Sequence, residues 1–426
     1  MARMYNTFDF IGNFNFFKDG FQIDNFPSGW NKKSLKASIN SSKNNGIWLS
    51  FDGMWKGQYE DDIESSIIKR KSKKIFGQDA YDLDIAWDDR QNPAILSQLS
   101  DMHKTIVDLG SDEDAKKKMN DISREIFFLE GKDAEKVEDG DQEKLDKLYD
   151  DYEEAKKAAN RLEFIHPIDA INFFVENKGK LDGEMFHVKG NVEISYYKGK
   201  FYTNYKPTHF IFVGHQEGIK PKLSATLDLF FSDNLIDDSL YEKSKLIRYK
   251  TYIMCYDSDY KADKFFPMET VFNGKDYKAD NPNHVAHETI IKKFMTPADE
   301  GKVKHIAFEV SLISGSEERE FTKADLTEEQ LMMVEAGFNS IDDFKKTTYG
   351  DRYEEVRLRI PLLKNMEDKG DFSKGAVLAP HLKKSDLTYV PKQGEAPAQN
   401  DTVKDNTPNT GGGSAPITFN EDDLPF

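Results

Sequence analysis

The sequence has a single cysteine, Cys255, in 426 residues. One thiol excludes an intramolecular disulfide and any zinc site built from several cysteines, and it is typical of proteins from a reducing compartment. No apolar run approaches the roughly 20 residues that cross a bilayer. The first residues also lack the apolar core of a secretory signal. The sequence therefore predicts a cytoplasmic protein that does not bind a membrane.

A phosphate-binding loop of the form Gly-x-x-x-x-Gly-Lys-Ser/Thr is also missing, so nothing in the sequence indicates an ATP-driven motor. His284, His287 and Glu288 have helical spacing and are compatible with a metal site. A satisfied or exposed histidine pair is the commoner meaning of such spacing. Cys255 lies on the apolar side of a predicted strand, which favours a packed thiol over a reactive one. We expect no metal, cofactor or catalytic site.

Positive charge is scarce, and the formal net charge is −17. Two segments hold much of the acidic excess. Residues 111–163 have 18 acidic and 11 basic side chains, and residues 391–426 have 6 and 2. These segments carry −7 and −4, which leaves −6 for the other residues. Binding responds to the local field, so the total charge does not exclude a basic groove for nucleic acid.

The first ninety residues have the period-2 alternation of β-strands. The first strand is predicted from apolar residues at alternate positions: Phe8, Phe10, Phe14 and Phe16. Gly12 predicts a bulge or bend within it. Two further strands are expected at 33–40 and 47–51, joined by a hairpin turn. The basic run 69–74 is expected in a loop.

From Pro93 the periodicity becomes helical, and one helix is expected to run from there to Leu109 with the proline in its first turn. Residues 112–163 have apolar positions spaced as in two amphipathic helices that are interrupted near Gly131 and Gly140. This pattern predicts an antiparallel helical hairpin that projects from the domain. Its many charges indicate a solvated surface.

Strand patterns resume at residue 185, and a second group of strands extends from 223 to 363. A helix is expected at 284–295, and another between a cap at Asp325 or Thr327 and Gly337. Two groups of about five strands, each with a helix between the third and fourth, have the outline of the OB-fold, a small partly open barrel. The predicted fold class is mainly β with a helical insertion (α+β). Residues 1–215 are predicted to form one OB-like domain, with the insertion at about 93–176. Residues 216–390 are predicted to form a second OB-like domain, and residues 391–426 a disordered acidic tail.

Cations and aromatic rings recur on the outward positions of four predicted strand regions. Cations that follow phosphates, interleaved with rings that stack on bases, are typical of sequence-independent binding to single strands. Tyrosine and lysine also decorate solvated sheet faces, which is the alternative for any one residue. The candidate nucleic-acid-binding residues are Lys36, Trp48, Tyr197, Lys198, Lys200, Tyr202, Tyr205, Arg248, Lys250, Tyr252, Tyr256, Tyr353, Arg357 and Arg359. Lys36 is expected opposite Trp48. The core side of the late strands is predicted to hold Ile247, Ile253, Cys255, Val356, Leu358 and Ile360.

The segment from Pro391 onward is rich in Gln, Asn, Pro, Gly and Thr and has too few apolar residues to fold by itself. The chain then ends in three carboxylates and a short apolar end: Glu421, Asp422, Asp423, Leu424, Pro425 and Phe426. A terminal ring with the α-carboxylate suits a small apolar pocket with a basic rim on another protein. An acidic terminus can also act only as a solubiliser.

This ending resembles the acidic tip of bacterial and phage single-stranded-DNA-binding proteins, which typically ends in aspartates, an aliphatic residue, proline and phenylalanine. The resemblance covers the last six or so residues. Leu424 stands where isoleucine is more usual, and Glu421 stands where aspartate is. In that family the tip recruits replication, recombination and repair enzymes, so the resemblance implies that residues 421–426 bind such partners.

The resemblance and the strand pattern together predict a non-enzymatic single-stranded-DNA-binding protein. The large helical insertion, absent from compact bacterial members, favours a phage-encoded protein in the host cytoplasm. One alternative is a structural or virion-associated protein whose β-domains bind protein and whose tail is a solubiliser. Another is a metal-dependent nuclease that uses four acidic residues: Asp82, Asp84, Asp88 and Asp89. Alternation around those residues favours instead a strand with a solvated acidic face.

Overall fold

The structure is a computed structural model, and it describes the following residues: 6–56, 67–214, 218–239, 241–276, 284–315, 318–319, 321–345, 348–349, 353–362, 379 and 381–392. The predicted tail, 391–426, lies outside the described residues apart from its first two, and so does the whole acidic tip.

The strands in this part of the chain are β1 (Thr7–Asn25), β2 (Trp30–Ser42), β3 (Asn45–Lys56), β4 (Ile67–Lys71), β5 (Asp82–Ala86), β6 (Thr105–Asp108), β7 (Arg161–Phe164), β8 (Met185–Tyr197), β9 (Lys200–Phe212), β10 (Lys222–Phe231), β11 (Ile236–Asp237), β12 (Leu246–Asp257), β13 (Ala262–Asn273), β14 (Lys304–Gly315), β15 (Glu318–Arg319), β16 (Thr348–Tyr349) and β17 (Tyr353–Leu362). The α-helices are α1 (Pro93–Leu96), α2 (Glu113–Glu130), α3 (Asp141–Ala158), α4 (Pro167–Glu176), α5 (Lys178–Leu181), α6 (Tyr241–Ser244), α7 (His284–Phe294) and α8 (Glu328–Glu335). The prediction of a mainly β protein with helices is confirmed.

Thirteen strands form one hydrogen-bonded sheet that includes strands from both predicted β domains. Its order is β10-β12-β13-β17-β14-β3-β2-β1-β8-β9-β6-β7, with β11 beside β12. The division at residue 215 therefore does not interrupt the backbone hydrogen bonding. Two small ribbons, β4 with β5 and β15 with β16, lie outside this sheet.

Strand β1 connects the two groups. Residues 7–11 pair with β10 on one edge, and residues 7–13 pair with β8 on the other. From Asn13 onward β1 pairs with β2. Gly12 stands at this change of partner, where a Cβ atom would lie 2.4 Å from the carbonyl oxygen of Asn40. Glycine permits this close approach of the two backbones. The register shift itself occurs later, between Phe16 and Phe21.

The second group has a pairing pattern that returns to its first strand. β10 pairs with β12, β12 with β13, β13 with β17, β17 with β14, and β14 again with β10. The β13–β17 pair is parallel, and the other pairs are antiparallel. Helix α7 lies between β13 and β14 in the chain, close to the predicted helix at 284–295.

The first group has a similar order. β3 pairs with β2, β2 with β1, β1 with β8, and β8 with β9. Lys206 of β9 reaches Asp52 of β3 at 2.9 Å, so β9 lies next to β3. Helix α4 precedes β8 and buries Ala170, Ile171 and Phe174 in the core.

Phenylalanine rings dominate the main core. The predicted inward residues Phe8, Phe10 and Phe14 of β1 are buried together with Phe266 and Phe308 of the second group. The two groups of strands thus share one apolar cluster. Burial of such rings is the main favourable term in folding, at roughly 25 cal/mol per Å² of apolar surface.

The helix predicted from Pro93 to Leu109 is wrong. Helix α1 ends at Leu96, and Thr105–Asp108 form the buried strand β6, parallel to β9. Thr105, Ile106 and Val107 are β-branched, which disfavours helix and suits a strand. The loop predicted at 69–74 is also wrong in part, because residues up to Lys71 form β4.

Helices α2 and α3 confirm the predicted helical pair, with a break that includes Gly131 and Gly140. The pair does not project freely. Its far end packs on Phe76, whose ring shares a cluster with Leu129 and Leu145 and whose N–H donates to the Glu130 carbonyl at 2.8 Å. The helical pair ends at Ala158, and the chain returns to the sheet as β7 before α4 begins at Pro167. None of the described helices is both long and apolar enough to cross a membrane.

A buried ion cluster around Glu163 of β7 fixes the base of this helical pair. Lys104 Nζ lies 2.9 Å from Glu163 Oε2, and Arg161 Nε lies 3.0 Å from Oε1. Tyr152 of α3 donates to the same carboxylate at 3.1 Å. Burial alone would raise the pKa of Glu163, but Lys104, Arg161 and Lys156 outweigh it and lower the pKa from 4.5 to about 2.

Replacing Glu163 with glutamine should lower the free energy of unfolding by about 3 kcal/mol, because the buried cations would lose the carboxylate that they share. Since the folded pKa lies below the ordinary value, the carboxylate stabilises fully above about pH 4.5 and progressively less as the pH falls toward 2. Urea unfolding between these pH values should show a smaller loss of stability in the Glu163→Gln variant than in the wild type. Glu143→Gln, at an exposed position on α3, is the matched control. Identical pH dependence in all three proteins would contradict the role of Glu163.

Candidate nucleic-acid interface

The outward side of β2, β3 and β9 holds several of the predicted binding residues, and we call it the first outer face. Its position follows from strand alternation. Leu35, Ala37 and Ile39 of β2 are buried, and so are Ile47, Leu49 and Phe51 of β3. The residues between them, including Lys36 and Trp48, therefore point away from the core.

An aromatic pair lies on this face. Trp48 is 39% exposed, and its ring meets Phe17 of β1 edge-on with 5.5 Å between centroids. Phe17 follows directly on Phe16, where the β1–β2 register begins to shift. Lys36 pairs with Ser50, whereas Trp48 pairs with Ser38. The expectation that Lys36 lies directly opposite Trp48 is wrong. The two residues are diagonal neighbours on the same face, a relationship that places residues about 7–8 Å apart.

Two lysines of the first outer face share one carboxylate, that of Asp52. Lys206 Nζ lies 2.9 Å from Asp52 Oδ1, and Lys32 Nζ lies 3.8 Å from Oδ2. Burial alone would raise the pKa of Asp52, but the two ammonium groups lower it. Lys36 stands four residues after Lys32, on the same side of β2. No ion pair involves Lys36 in the part of the chain that the structure describes.

The hairpin of β8 and β9 extends this face. Tyr197 pairs with Lys200, and Ser195 with Tyr202, so these rings and the exposed Lys200 share a side. Lys198 stands in the turn with a φ of 49° and its ammonium 5.0 Å from the Tyr197 ring centre. Tyr205 has the opposite orientation. Its ring packs on Phe8 and Phe10 at 5.8 and 5.4 Å, so it belongs to the core and we leave it out of the interface.

Strand β12 alternates as the sequence predicted. Ile247, Ile253 and Cys255 are buried, and burial raises the pKa of the Cys255 thiol to about 11. Arg248 faces outward but forms an ion pair with Glu269 at 2.5 Å. Lys250 is exposed and has no ion pair among the described residues.

The two tyrosines of β12 differ in accessibility. Tyr256 is 63% exposed near the end of the strand. Tyr252 is partly buried, because it packs against a cluster that contains Leu387 and Ala379. This burial raises the pKa of Tyr252. A segment of the chain itself thus covers one of the predicted stacking rings.

Arg357 and Arg359 of β17 are bound internally. Arg357 is buried, and its Nη1 donates to Asp276 Oδ1 at 2.8 Å while its Nε donates to Glu355 at 2.6 Å. Arg359 contacts the other oxygen of Asp276 at 2.8 Å. Tyr353 lies at the start of the strand, with its ring centre 6.0 Å from the Arg357 guanidinium. These arginines have their charge matched by carboxylates before any ligand binds.

The prediction that Ile360 faces the core is wrong, since it is 51% exposed. The β14–β17 register shifts between the pairs Val310–Leu358 and Glu309–Ile360, so Arg359 is an extra residue in the ladder. Such a bulge reverses the side on which later residues point. Leu358, before the shift, is buried as predicted.

Sequence reasoning missed Phe17, Lys32 and Lys206. Lys32 could have been found, because it is an even number of residues from Lys36 and strand alternation therefore places both on the same side. Phe17 could not, because its ring reaches Trp48 where the β1–β2 register shifts. Lys206 becomes part of the face only because β9 lies next to β3, a contact between residues far apart in sequence.

The acidic cluster considered for a nuclease lies on a separate ribbon. Asp82 and Asp84 belong to β5, as the alternation predicted, and they pair across from Lys71 and Lys69 of β4. In the predicted helix α7, Glu288 contacts Tyr241 at 2.5 Å and Lys292 at 2.6 Å. Over the described ranges, no group of three or more His, Cys, Asp or Glu side chains is arranged to hold a metal ion.

Comparison with known proteins identifies no family for this chain. No protein-family model matches the chain, and no curated protein matches it. Inferences about its function therefore come from its own residues and geometry and from the short terminal resemblance.

Replacing Arg357 with alanine should lower the free energy of unfolding by about 3 kcal/mol, because Asp276 and Glu355 would lose their buried partner. Lys250→Ala on the neighbouring exposed surface should change it by less than about 0.5 kcal/mol. Urea unfolding of both variants measures the difference. Equal, small effects would show that Arg357 is available for another role.

Proposed function

We propose that this protein binds single-stranded DNA without cleaving it and recruits partner proteins through its acidic C-terminal tip. The first outer face is the observation that carries the binding proposal. It combines the Phe17–Trp48 pair, Lys36, which has no ion-pair partner among the described residues, and the tyrosines and Lys200 of the β8–β9 hairpin. Stacking on such rings contributes about 1–3 kcal/mol per base and tolerates any sequence.

The pairing order supports a further proposal, that each group of strands is an OB-fold. In the second group, β10, β12, β13, β14 and β17 are the first to fifth strands. They pair in the order 1-2-3-5-4-1, and the third and fifth strands are parallel. Helix α7 stands between the third and fourth strands. In the first group α4 precedes the fourth strand, β8. The OB-fold commonly binds oligonucleotides on the face of its second and third strands, which here are β2 and β3.

The ion pairs of the structure restrict which cations meet phosphates. Arg248, Arg357 and Arg359 are engaged with carboxylates, whereas Lys36, Lys200 and Lys250 have no ion pair among the described residues. Each phosphate contact contributes about −0.7 to the slope of log affinity against log salt for a single strand. A small number of available lysines therefore predicts a shallow salt dependence and an affinity dominated by stacking.

Fluorescence titration with labelled oligo-dT tests this function. The wild type should bind tightly and leave the oligonucleotide intact. Trp48→Ala should weaken binding by about 1–3 kcal/mol, or roughly 5- to 150-fold, because one stacking ring is lost. Changing Lys36 and Lys200 together to alanine should reduce the salt slope by about 1.4. Lys144 and Lys147, exposed on α3, changed in the same way should have no effect.

Three results would count against the proposal. Absence of oligo-dT binding would favour the structural or virion-associated alternative. Cleavage of the oligonucleotide with added Mg²⁺ would favour the nuclease. Binding that is unaffected by Trp48→Ala and by the lysine pair would place the interface elsewhere on the protein.

The recruiting role of the tip rests on its resemblance to the tips of single-stranded-DNA-binding proteins and on its chemistry. Phe426 combines an apolar ring with the terminal carboxylate, and Glu421, Asp422 and Asp423 add charge for a basic rim. Leu424 and Pro425 join the two parts. The proposed partners are replication and recombination proteins.

Removing Phe426 should abolish capture of such proteins while oligo-dT affinity stays within about twofold, because the tip and the first outer face are separate parts of the chain. Affinity capture with the intact protein and with the shortened one, each at equal loading, measures the difference. Equal capture by both proteins would leave the tip as a solubiliser.

A further inference from the structure

A segment near the end of the described chain lies across the outward side of β12 and β13. We call residue 379 and residues 381–392 the strap. Leu387 and Ala379 of the strap are buried in a cluster with Phe230, and Tyr252, Met254 and Phe265 pack against that cluster. Tyr252 and Met254 belong to β12, and Phe265 pairs with Met254 from β13. These three outward side chains form an apolar floor, and the strap covers it.

The strap is also anchored between the two groups of strands. The ring of Tyr389 stacks on Phe266 at 4.9 Å and contacts Tyr196 and Phe201 at 5.2 and 5.5 Å. Its hydroxyl donates to Asp257 Oδ2 at 2.8 Å. Tyr196 and Phe201 are at the tip of the β8–β9 hairpin, and Phe266 and Asp257 are near the tip of β12–β13. One ring thus joins both hairpins.

Among the described residues, the strap makes few polar contacts with the body. Two backbone hydrogen bonds run from Ala379 to Val303 at 2.9 Å and from Lys384 to Gly301 at 3.2 Å. The Tyr260 hydroxyl donates to the Val390 carbonyl, and its ring lies against Tyr389 and Lys392. One ion pair joins Lys384 to Asp233 at 2.7 Å. Other strap residues, such as Val390 at 66% exposure, face solvent. A segment with a few buried anchors and sparse hydrogen bonds can open locally without unfolding the protein.

We propose that Tyr252, Met254 and Phe265 form a second base-binding site, that the strap fills this site in the free protein, and that single-stranded DNA displaces it. The inference rests on the proposed function and adds a site and an occupant to it. The strap and a base exclude each other, because both require the same side of Tyr252. Exposed Lys250 and Tyr256, on the same side of β12, flank the floor where a strand would continue.

Both occupants are held by apolar contact with the same side chains. Leu387 is buried against the floor, and a base would stack on the rings of Tyr252 and Phe265. The strap has three lysines and one aspartate, Asp386, so it does not imitate a polyanion. Its competition with DNA should accordingly vary little with salt.

Hydrogen exchange on the full-length wild-type protein, free and saturated with oligo-dT long enough to cover both groups, tests the displacement. The strap amides of Ala379 and Lys384 should exchange at least about 10-fold faster in the saturated complex. Amides of buried strands such as β10 should not change. Saturation is measured separately by fluorescence, so failure to bind would overturn the proposed function, and this inference with it. Saturated binding with unchanged or slower exchange in the strap would overturn this inference alone.

Loosening the strap gives a second readout. Leu387→Ala combined with Tyr389→Ala should tighten binding of the long oligo-dT by about 10-fold. The reason is that the strap would occupy the site in a smaller fraction of the protein molecules. The increase should be similar at low and high salt. Val390→Ala, at an exposed strap residue, should bind like the wild type. Unchanged or weaker binding by the double variant would mean that the strap is a fixed part of the fold and not a competitor.

Discussion

The double pairing of β1 is the constraint on which the rest of the structure depends. Residues 7–11 are hydrogen-bonded to β8 on one edge and to β10 on the other, so this short stretch belongs to both groups of strands. Gly190 of β8 makes the arrangement possible, because a Cβ atom there would lie 2.0 Å from the carbonyl of Lys206 and 2.7 Å from the Phe8 ring. The phenylalanines of β1 reach the core of both groups because of this join.

Carboxylates of the protein itself decide which cations are available to a ligand. Asp276 holds both Arg357 and Arg359, and Asp52 holds Lys206 and Lys32. These pairs engage both predicted arginines of β17 and two lysines of the first outer face with carboxylates of the protein itself. What is left on the first outer face is a pair of rings with a few lysines. That chemistry suits bases more than backbone charge, and it fits a protein with a net charge of −17.

Local signals in the sequence predicted much of the fold. Alternation identified β2 and β3 with the correct side inward, and the spacing of apolar residues identified α2 and α3. The cap of α8 was also predicted, since Thr327 and Gln330 form reciprocal hydrogen bonds there. Each of these features is determined by residues close together in the chain.

Features that depend on distant residues were missed. The β-branched residues at 105–107 favour a strand, but the parallel edge of β9 with which β6 pairs is supplied by residues about 100 positions later. The bulge at Arg359 depends on the register with β14 and turns Ile360 outward. At the candidate site, alternation correctly placed Lys36 and Trp48 on one face. It could not show that Asp276, 81 residues before Arg357, engages that arginine, or that Leu387 covers Tyr252.

Photo-crosslinking of bound oligo-dT, followed by identification of the modified residues, tests the central claim most directly. If the first outer face binds single strands, crosslinks should occur at Trp48, Phe17 and the tyrosines of the β8–β9 hairpin, and excess unlabelled oligo-dT should suppress them. Crosslinks confined to helices α2 and α3 or to the β4–β5 ribbon, with none at Trp48 or Phe17, would contradict it.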